Sequence, residues 1–482
     1  MGKQKQGSNY VEEITKMEQD FSQWYTDVVL KAELADYGMV KGCMAIKPYG
    51  FQIWEQIRAG LNERLMATGH QNVYLPILIP ESLLNKEKEH VEGFAPEVAW
   101  VTIGGEKELE ERLCIRPTSE TLFSTMFAKW VNSWRDLPLL YNQWGNVVRW
   151  EKSTRPFLRT AEFLWQEGHT VHATAEESAA ETQKILKLYS DYAEKVLAIP
   201  VIKGRKTEQE KFAGAVNTYT IEAMMHDGQA LQAGTSHNFG QNFSIPFEIK
   251  YQNKAGKMEY CWQTSWGVTT RLIGGIIMVH GDNRGLVLPP RVAPVQVILV
   301  PIAGHKTGVL KKCQEVLQEL RNLYRVIIDD RDNYSPGWKF NQWEMKGVPL
   351  RLEIGPRDII HEQVVLVRRD TGEKEVVKIE QLKEQIGSKL ADIQNSLFQK
   401  ALEKREKRTY RAEQLKDFKK IIAKETGFIK GMLCGNKECE EKMKEITRTT
   451  VRCIPFEQEK LSERCICCGG AAGEMAIFAR AY

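Results

Sequence analysis

RWEKSTRPFLRTAEFLWQEGHT, residues 149–170, has the apolar density of a sheet interior, yet it carries three arginines, three glutamates and a histidine. Two strands joined by a loop account for this mixture. In VVRWE, Arg149 and Glu151 are two apart and share a strand face. KSTRPFL is the connecting loop. In RTAEFLWQEGH, one face carries Arg159, Ala161, Phe163, Trp165, Glu167 and His169, and the other carries Thr160, Glu162, Leu164 and Gln166. Charged and apolar side chains thus converge on one face, as in a sheet whose inner surface binds a ligand. A strand pair with surface salt bridges is the plainer alternative, and the rest of the chain decides between them.

The chain has 482 residues, enough for two or three domains. Its hydrophobic share is 42% and its charged share 27%, as in soluble globular proteins. With 67 basic and 63 acidic residues the net charge is +4, so any nucleic-acid binding must come from local patches. The start, MGKQKQGSNYVEE, lacks an apolar signal core, and no apolar run is long enough to span a bilayer. The expectation is a cytoplasmic protein without membrane contact. Ten cysteines in such a chain do not read as a disulfide framework.

Working outward, residues 11–35 read as an amphipathic helix ending near Gly38. Residues 48–68 read as another, with Ile53, Trp54, Ile57, Leu61 and Leu65 at helical spacing and Gly69 as the stop. NVYLPILIP follows, and its Pro76 and Pro80 confine it to an edge or a bulge. Between 140 and 290, strands with Gly-rich turns suggest an antiparallel sheet closing on the helix TRLIGGIIMVHG. LPPRVAP (288–294) reads as a linker. Beyond it, strands and helices alternate as in a compact α/β domain with a mixed sheet. Residues 378–425 read as mainly helical and highly charged.

These pieces carry a resemblance. VVRWE, its loop and RTAEFLWQEGH resemble motif 2 of the class II aminoacyl-tRNA synthetases. NVYLPILIP resembles their motif 1, and SWGVTTRLIGGIIMVHGDNRGLVLPPRVAP (265–294) their motif 3. RPTSE (116–120), FLWQEGH and GTSHNFGQNF are similar to the prolyl-tRNA synthetases in particular. The resemblance implies an α+β catalytic domain built on an antiparallel sheet (1–290), an α/β anticodon-binding domain (291–400) and a small α+β zinc-type domain (401–482). The implied reaction is ATP-dependent ligation of L-proline to tRNA(Pro) through a prolyl-adenylate, by a homodimer.

In that chemistry a carboxylate attacks the α-phosphate of ATP. The nucleophile is already ionised, so positioning and cationic stabilisation carry the catalysis. The resemblance gives Arg149 to the α-phosphate and the proline carboxylate, Glu151 to the adenine amino group and Phe163 to the adenine ring. Arg159 would meet the outer phosphates and Arg271 the γ-phosphate, with Thr160, Gln232, Thr235 and Thr269 as further nucleotide contacts. Gln232 and Thr235 have opposite strand parity, which a bulge near Gly234 would repair. Mg2+ is expected with the triphosphate. Thr118 and Glu120 would take the proline nitrogen, Trp165 and Phe212 would wall the ring, and Glu167, His169 and His237 would line the pocket. Singly, Trp165, Phe212 and His169 read more simply as core residues. Guanines of a proline anticodon suit a glutamate and an arginine. The resemblance assigns Glu344 and Arg351, each of which alone reads equally well as half of a surface ion pair.

Cys434-x4-Cys439 and Cys465-x2-Cys468-Gly469 read as a four-thiolate structural zinc site. Cys467 could replace either member of the second pair. Cys453, without partner spacing, reads as a buried apolar residue. The rivals are a sister synthetase for threonine, glycine or histidine, and a non-catalytic RNA-binding regulator on the same fold. Arg149, Glu151 and Arg271, whose loss would mark the second rival, are all present. The interval from His169 to Ser265 leaves no room for an inserted editing domain.

Overall fold

The computed structural model describes residues 14–90 and 97–482, apart from the side chains of 86–90. An eleven-stranded sheet runs through it. From one edge its strands are Thr409–Arg411, Phe428–Leu433, Glu474–Ala479, Thr450–Pro455, Val201–Arg205, Asn217–Met224, Ala230–Gly240, Trp262–Thr269, Glu162–His172, Leu139–Val148 and Gln71–Asn72. The outermost pairing at each end is parallel and the pairings between them are antiparallel.

Alternation along Glu162–His172 sorts the two faces. Gln166 points back, where Oε1 accepts from the Tyr189 hydroxyl of the helix Ala175–Lys195. That helix, together with Phe21–Lys31, Pro48–Ala67 and Arg271–His280, buries the back face around Trp24, Ile57, Leu61, Ile185, Trp266 and Ile277. Trp165 and Glu167 point forward into a cavity. Gly168 shows how close the packing behind them is: a Cβ there would lie 2.0 Å from the Trp266 ring.

Several boundaries differ from the sequence reading. The first helix is Phe21–Lys31, shorter than 11–35; residues 11–13 lie outside the described residues. Asp20 caps it, accepting from the Gln23 N–H at 3.0 Å, and Glu33 at φ 56° turns the chain away after it. The second helix, Pro48–Ala67, begins on a proline at its first turn and ends before Gly69 at φ +88°. NVYLPILIP is two strands. Gln71–Asn72 closes the large sheet, and Leu78–Pro80 pairs with Lys107–Ile115 at the edge of a three-stranded sheet, so Pro76 falls between two ladders.

LPPRVAP is no exposed linker. Leu288, Val292 and Ala293 are buried in the catalytic core. The Leu286 and Leu288 N–H groups donate to the carbonyls of Met345 and Gly347, sewing the segment to the next domain. That domain holds a five-stranded mixed sheet in the order Val326–Ile328, Val297–Pro301, Leu350–Ile354, Gln363–Arg368 and Lys374–Lys378. The helix Leu382–Lys407 then leads to the C-terminal strands, which join the catalytic sheet where Ile454 pairs with Arg205 and Pro455 with Gly204. The α+β, α/β, α+β succession is as the sequence implied; the shared sheet was not foreseen. Among the described residues no helix is long and apolar enough to cross a membrane.

Candidate active site

The front of the sheet holds a cavity of about 260 Å3. Arg149 follows directly on the strand Leu139–Val148. Its guanidinium lies over the rings of Phe163 (5.4 Å) and Trp165 (5.7 Å), and its Nε donates to the Pro117 carbonyl at 3.0 Å. Burial lowers its pKa, against the pull of Glu120, Glu167 and Glu151. Arg271 opens the helix Arg271–His280; its N–H donates to Thr269 Oγ1 (3.0 Å) and its Nε to the Leu158 carbonyl (3.1 Å). Burial pushes its pKa down to about 10; Arg149, Arg452 and Arg159 add to that and Glu222 opposes it. Arg159 is mostly exposed and pairs with Glu151 at 2.7 Å, and the Thr160 hydroxyl donates to the Glu162 carbonyl. Arg149 and Arg271, two buried cations with lowered pKa values in one cavity, form a site suited to an anion.

The other end is acidic and aromatic. Glu120 starts the helix Glu120–Trp130 and accepts from the Thr118 hydroxyl and, at 3.3 Å, from Ser265. Glu167 accepts from Ser119 (2.6 Å) and Gln143 (2.7 Å). Phe212 packs its ring 4.8 Å from that of His237, whose Nδ1 meets the Thr218 hydroxyl at 2.9 Å. Burial pushes the His237 pKa down to about 3, so the ring is neutral.

The bulge expected in Ala230–Gly240 is present. Thr220 pairs with Thr235 and Glu222 with Gln232, which leaves Ala233 extra. Because 220 and 222 share a face, Gln232 and Thr235 do too. Both line the cavity, with Thr118, Glu120, Glu151, Arg159, Thr160, Phe163, Glu167, Phe212, His237 and Thr269.

Other expected residues lie elsewhere. His169 does not line the cavity: it is 2% exposed behind Glu167, at 3.3 Å from that carboxylate, and stacks on Phe123 at 4.1 Å. Strand parity gave its face correctly, but the helix Glu120–Trp130 covers it. Glu344 and Arg351 are not joined to each other. Arg284 donates to Glu344 at 2.6 Å; Arg351 pairs with Glu353 at 2.8 Å and lies 3.9 Å from the Phe340 ring centre.

Cys434, Cys439, Cys465 and Cys468 converge, with all four sulfurs within 4.8 Å of one another; Cys467 is outside the set. Cys453 is fully buried among apolar neighbours.

Sequence reasoning missed a buried cluster beside Arg271. Glu222 accepts from Lys206 at 2.9 Å and from Arg452 Nε at 3.0 Å, and Lys206 lines the cavity. The one local signal was a glutamate inside the apolar strand TYTIEAMM; nothing near it announced a partner 230 positions away.

Three family models match the chain. One described as "tRNA synthetase class II core domain (G, H, P, S and T)" covers residues 100–280, "Anticodon binding domain" covers 296–389, and "Prolyl-tRNA synthetase, C-terminal" covers 415–482. Proline--tRNA ligase 2 of Bacillus cereus (strain ZK / E33L) is 62% identical over 98% of this chain and 99% of its own length. Proline--tRNA ligase of Ruminiclostridium cellulolyticum is 61% identical over 98% of each. The crystal structure of prolyl-tRNA synthetase from Cryptosporidium parvum, complexed with halofuginone and AMPPNP, superposes with a TM-score of 0.93 at 43% identity, covering 98% of this chain and 99% of that one.

Proposed function

The chain belongs to the prolyl-tRNA synthetases of class II, and from that premise we propose how its residues divide the work. The reaction is ligation of L-proline to tRNA(Pro), driven by ATP through a prolyl-adenylate, with release of AMP and diphosphate. Residues 1–290 carry out activation, 291–400 read the anticodon, and 401–482 form the cysteine-rich module.

The proline nitrogen binds at Thr118 and Glu120, and the ring lies between Trp165 and Phe212. Glu167 and His237 complete the slot, and His169 orients Glu167 from behind. Arg149 holds the proline carboxylate against the α-phosphate. Phe163 stacks on adenine, Glu151 accepts from its amino group, and Gln232, Thr235, Thr160 and Thr269 fix the rest of the nucleotide. Arg159 and Arg271 receive the outer phosphates as pyrophosphate departs. No general base is required; the site aligns two anions and neutralises the charge that develops between them. Mg2+ bound with ATP would supply further screening of the triphosphate charge. The observation that carries this reading is Arg149, whose guanidinium lies over the Phe163 and Trp165 rings and lines one cavity with Glu120, Glu167 and Arg271.

To read guanines, Glu344 and Arg351 release Arg284 and Glu353. The four thiolates fit Zn2+: sulfurs about 2.3 Å from a tetrahedral centre lie about 3.8 Å apart, against 3.6 Å for Cys434–Cys439 and 4.0 Å for Cys434–Cys468. Bound there, zinc supplies folding energy to the module. The working unit is a cytoplasmic homodimer. Pyrophosphate exchange with each of the twenty amino acids tests the assignment. Proline is the expected best substrate, and a stronger response to threonine, glycine or histidine overturns it.

A further inference from the structure

The segment 206–214 leads from the strand Val201–Arg205 toward Asn217–Met224 and brings Lys206 and Phe212 to the cavity. The Thr207 carbonyl accepts from the N–H groups of Glu210 (3.2 Å) and Lys211 (2.9 Å), and the Phe212 N–H donates to Thr218 Oγ1 at 3.0 Å. Phe212 lies five residues beyond Thr207 across this turn, and its ring packs on those of His237 (4.8 Å) and Phe239 (5.8 Å), so Thr207 fixes the near end of a segment whose far end rests on the sheet. A connecting segment held at fewer points samples more positions, and ordering it costs entropy.

Further anchors come from the far end of the chain, among them an exposed bond from Gln209 Nε2 to Glu441 Oε1 at 3.4 Å. The Thr207 hydroxyl donates to Glu440 Oε2 at 2.7 Å, and Glu440, on the helix Lys437–Thr447, is 8% exposed. Lys206 Nζ donates to the Arg452 carbonyl at 2.7 Å and to Glu222 at 2.9 Å. The Arg452 guanidinium grips the other oxygen of Glu222 from Nε (3.0 Å) and Nη2 (2.9 Å). The side chains of Thr207, Glu440, Lys206, Glu222 and Arg452 are all buried. Two cations share one carboxylate, so the cluster holds excess positive charge beside Arg271.

We infer that the cysteine-rich module is a positioning brace for the proline pocket: the Thr207–Glu440 bond and the Lys206–Glu222–Arg452 cluster hold segment 206–214 so that Phe212 already walls the cavity when proline arrives. Thr207, Glu440 and Arg452 are positioning residues that act through Phe212 and Lys206. The inference rests on the reading of this cavity as the proline site. Without the brace, proline binding must also order the segment, so KM for proline rises. The turnover of bound substrate, which depends on Arg149 and Arg271, is retained.

The test is pyrophosphate-exchange kinetics on the full-length enzyme, with Thr207→Val, Glu440→Met, their combination, Thr207→Ser and Phe212→Ala. Losing one hydrogen bond to a charged acceptor raises KM for proline about tenfold in Thr207→Val and Glu440→Met, with kcat little changed. The double variant is no worse than either single one, and Thr207→Ser behaves as the parent. Hydrogen exchange across 206–214 rises in Glu440→Met. A lowered melting temperature with unchanged KM in both single variants reduces the contact to a structural one and overturns the inference, as does full additivity in the double variant. If Phe212→Ala leaves KM for proline unchanged, the pocket reading falls and the brace falls with it. If Phe212→Ala raises KM and Thr207→Val does not, only the brace falls.

Discussion

Replacing Arg149 separates catalysis from folding. Among the described residues its guanidinium makes one hydrogen bond, to the Pro117 carbonyl, and burial lowers its pKa despite three nearby glutamates. Losing that bond costs about 1 kcal/mol, and relief of a partly desolvated charge offsets much of it. In a large domain, 1 kcal/mol corresponds to a melting shift of about 2–4 °C, so Arg149→Ala is expected to melt within a few degrees of the parent. In the reaction, however, Arg149 faces both anions. Removing a preorganised donor from developing charge costs about 2.7–4 kcal/mol, or about 10²–10³ in rate. Arg149→Lys keeps the charge and loses the planar fork, so it falls between the two. The assay is proline-dependent pyrophosphate exchange, run beside a thermal melt of each variant. A folded Arg149→Ala enzyme that exchanges within about tenfold of the parent would refute the electrostatic argument.

Metal analysis is expected to find about one zinc per chain, with Cys468→Ser losing it and Cys467→Ser keeping it; the opposite pattern moves the ligand set. Chelation should loosen the C-terminal module before the strands around Arg149, followed by hydrogen exchange. Sedimentation at micromolar concentration is expected to show a dimer, and a 55.3 kDa species alone counts against it. Burial pushes His172 and His280 down to about 4 and His226 and His237 to about 3, from an ordinary 6.5. Their neutral forms are favoured by folding, so this stability is complete above pH 6.5 and is lost as pH falls below it. Denaturant midpoints should therefore drop between pH 6.5 and 5, above the range where most carboxylates titrate, and a flat profile there contradicts the burial argument. Alanine is expected to be activated detectably, because a proline-sized slot cannot exclude a smaller side chain. Hydrolysis of alanyl-tRNA(Pro) that persists with the synthetic site blocked by a prolyl-adenylate analogue would reveal an editing site.

Local pattern carried much of this structure. Period-two alternation put Phe163, Trp165 and Glu167 on the cavity face, and the spacing Ile53–Trp54–Ile57–Leu61–Leu65 gave the second helix. The parity conflict between Gln232 and Thr235 pointed to a bulge that is there. What failed was of two kinds. Boundaries set by a single cap or a single positive φ, as at Asp20 and Glu33, are weak against a long amphipathic pattern. Contacts between distant segments leave no periodic trace: nothing in LPPRVAP says that Met345 and Gly347 will bury it, and nothing around Lys206 names Arg452. His169 was read on the correct face, yet what covers that face was decided by a helix some fifty positions earlier.

The pairing of Ile454 with Arg205 also has a consequence for how the protein is made. Val201–Arg205 leaves the ribosome roughly 250 residues before the strand that will pair with the outer edge of its Gly204–Arg205 end. At about 5–20 residues per second the nascent sheet waits roughly 12–50 s with that edge open. An uncovered strand is a template for pairing with other chains, and charged residues on it discourage them. VIKGR carries Lys203 and Arg205 in five residues, so the charge that guards the strand during synthesis is built into the strand itself. Premature release before Thr450 would leave the edge exposed for the lifetime of the fragment, which makes truncated products of this chain candidates for aggregation.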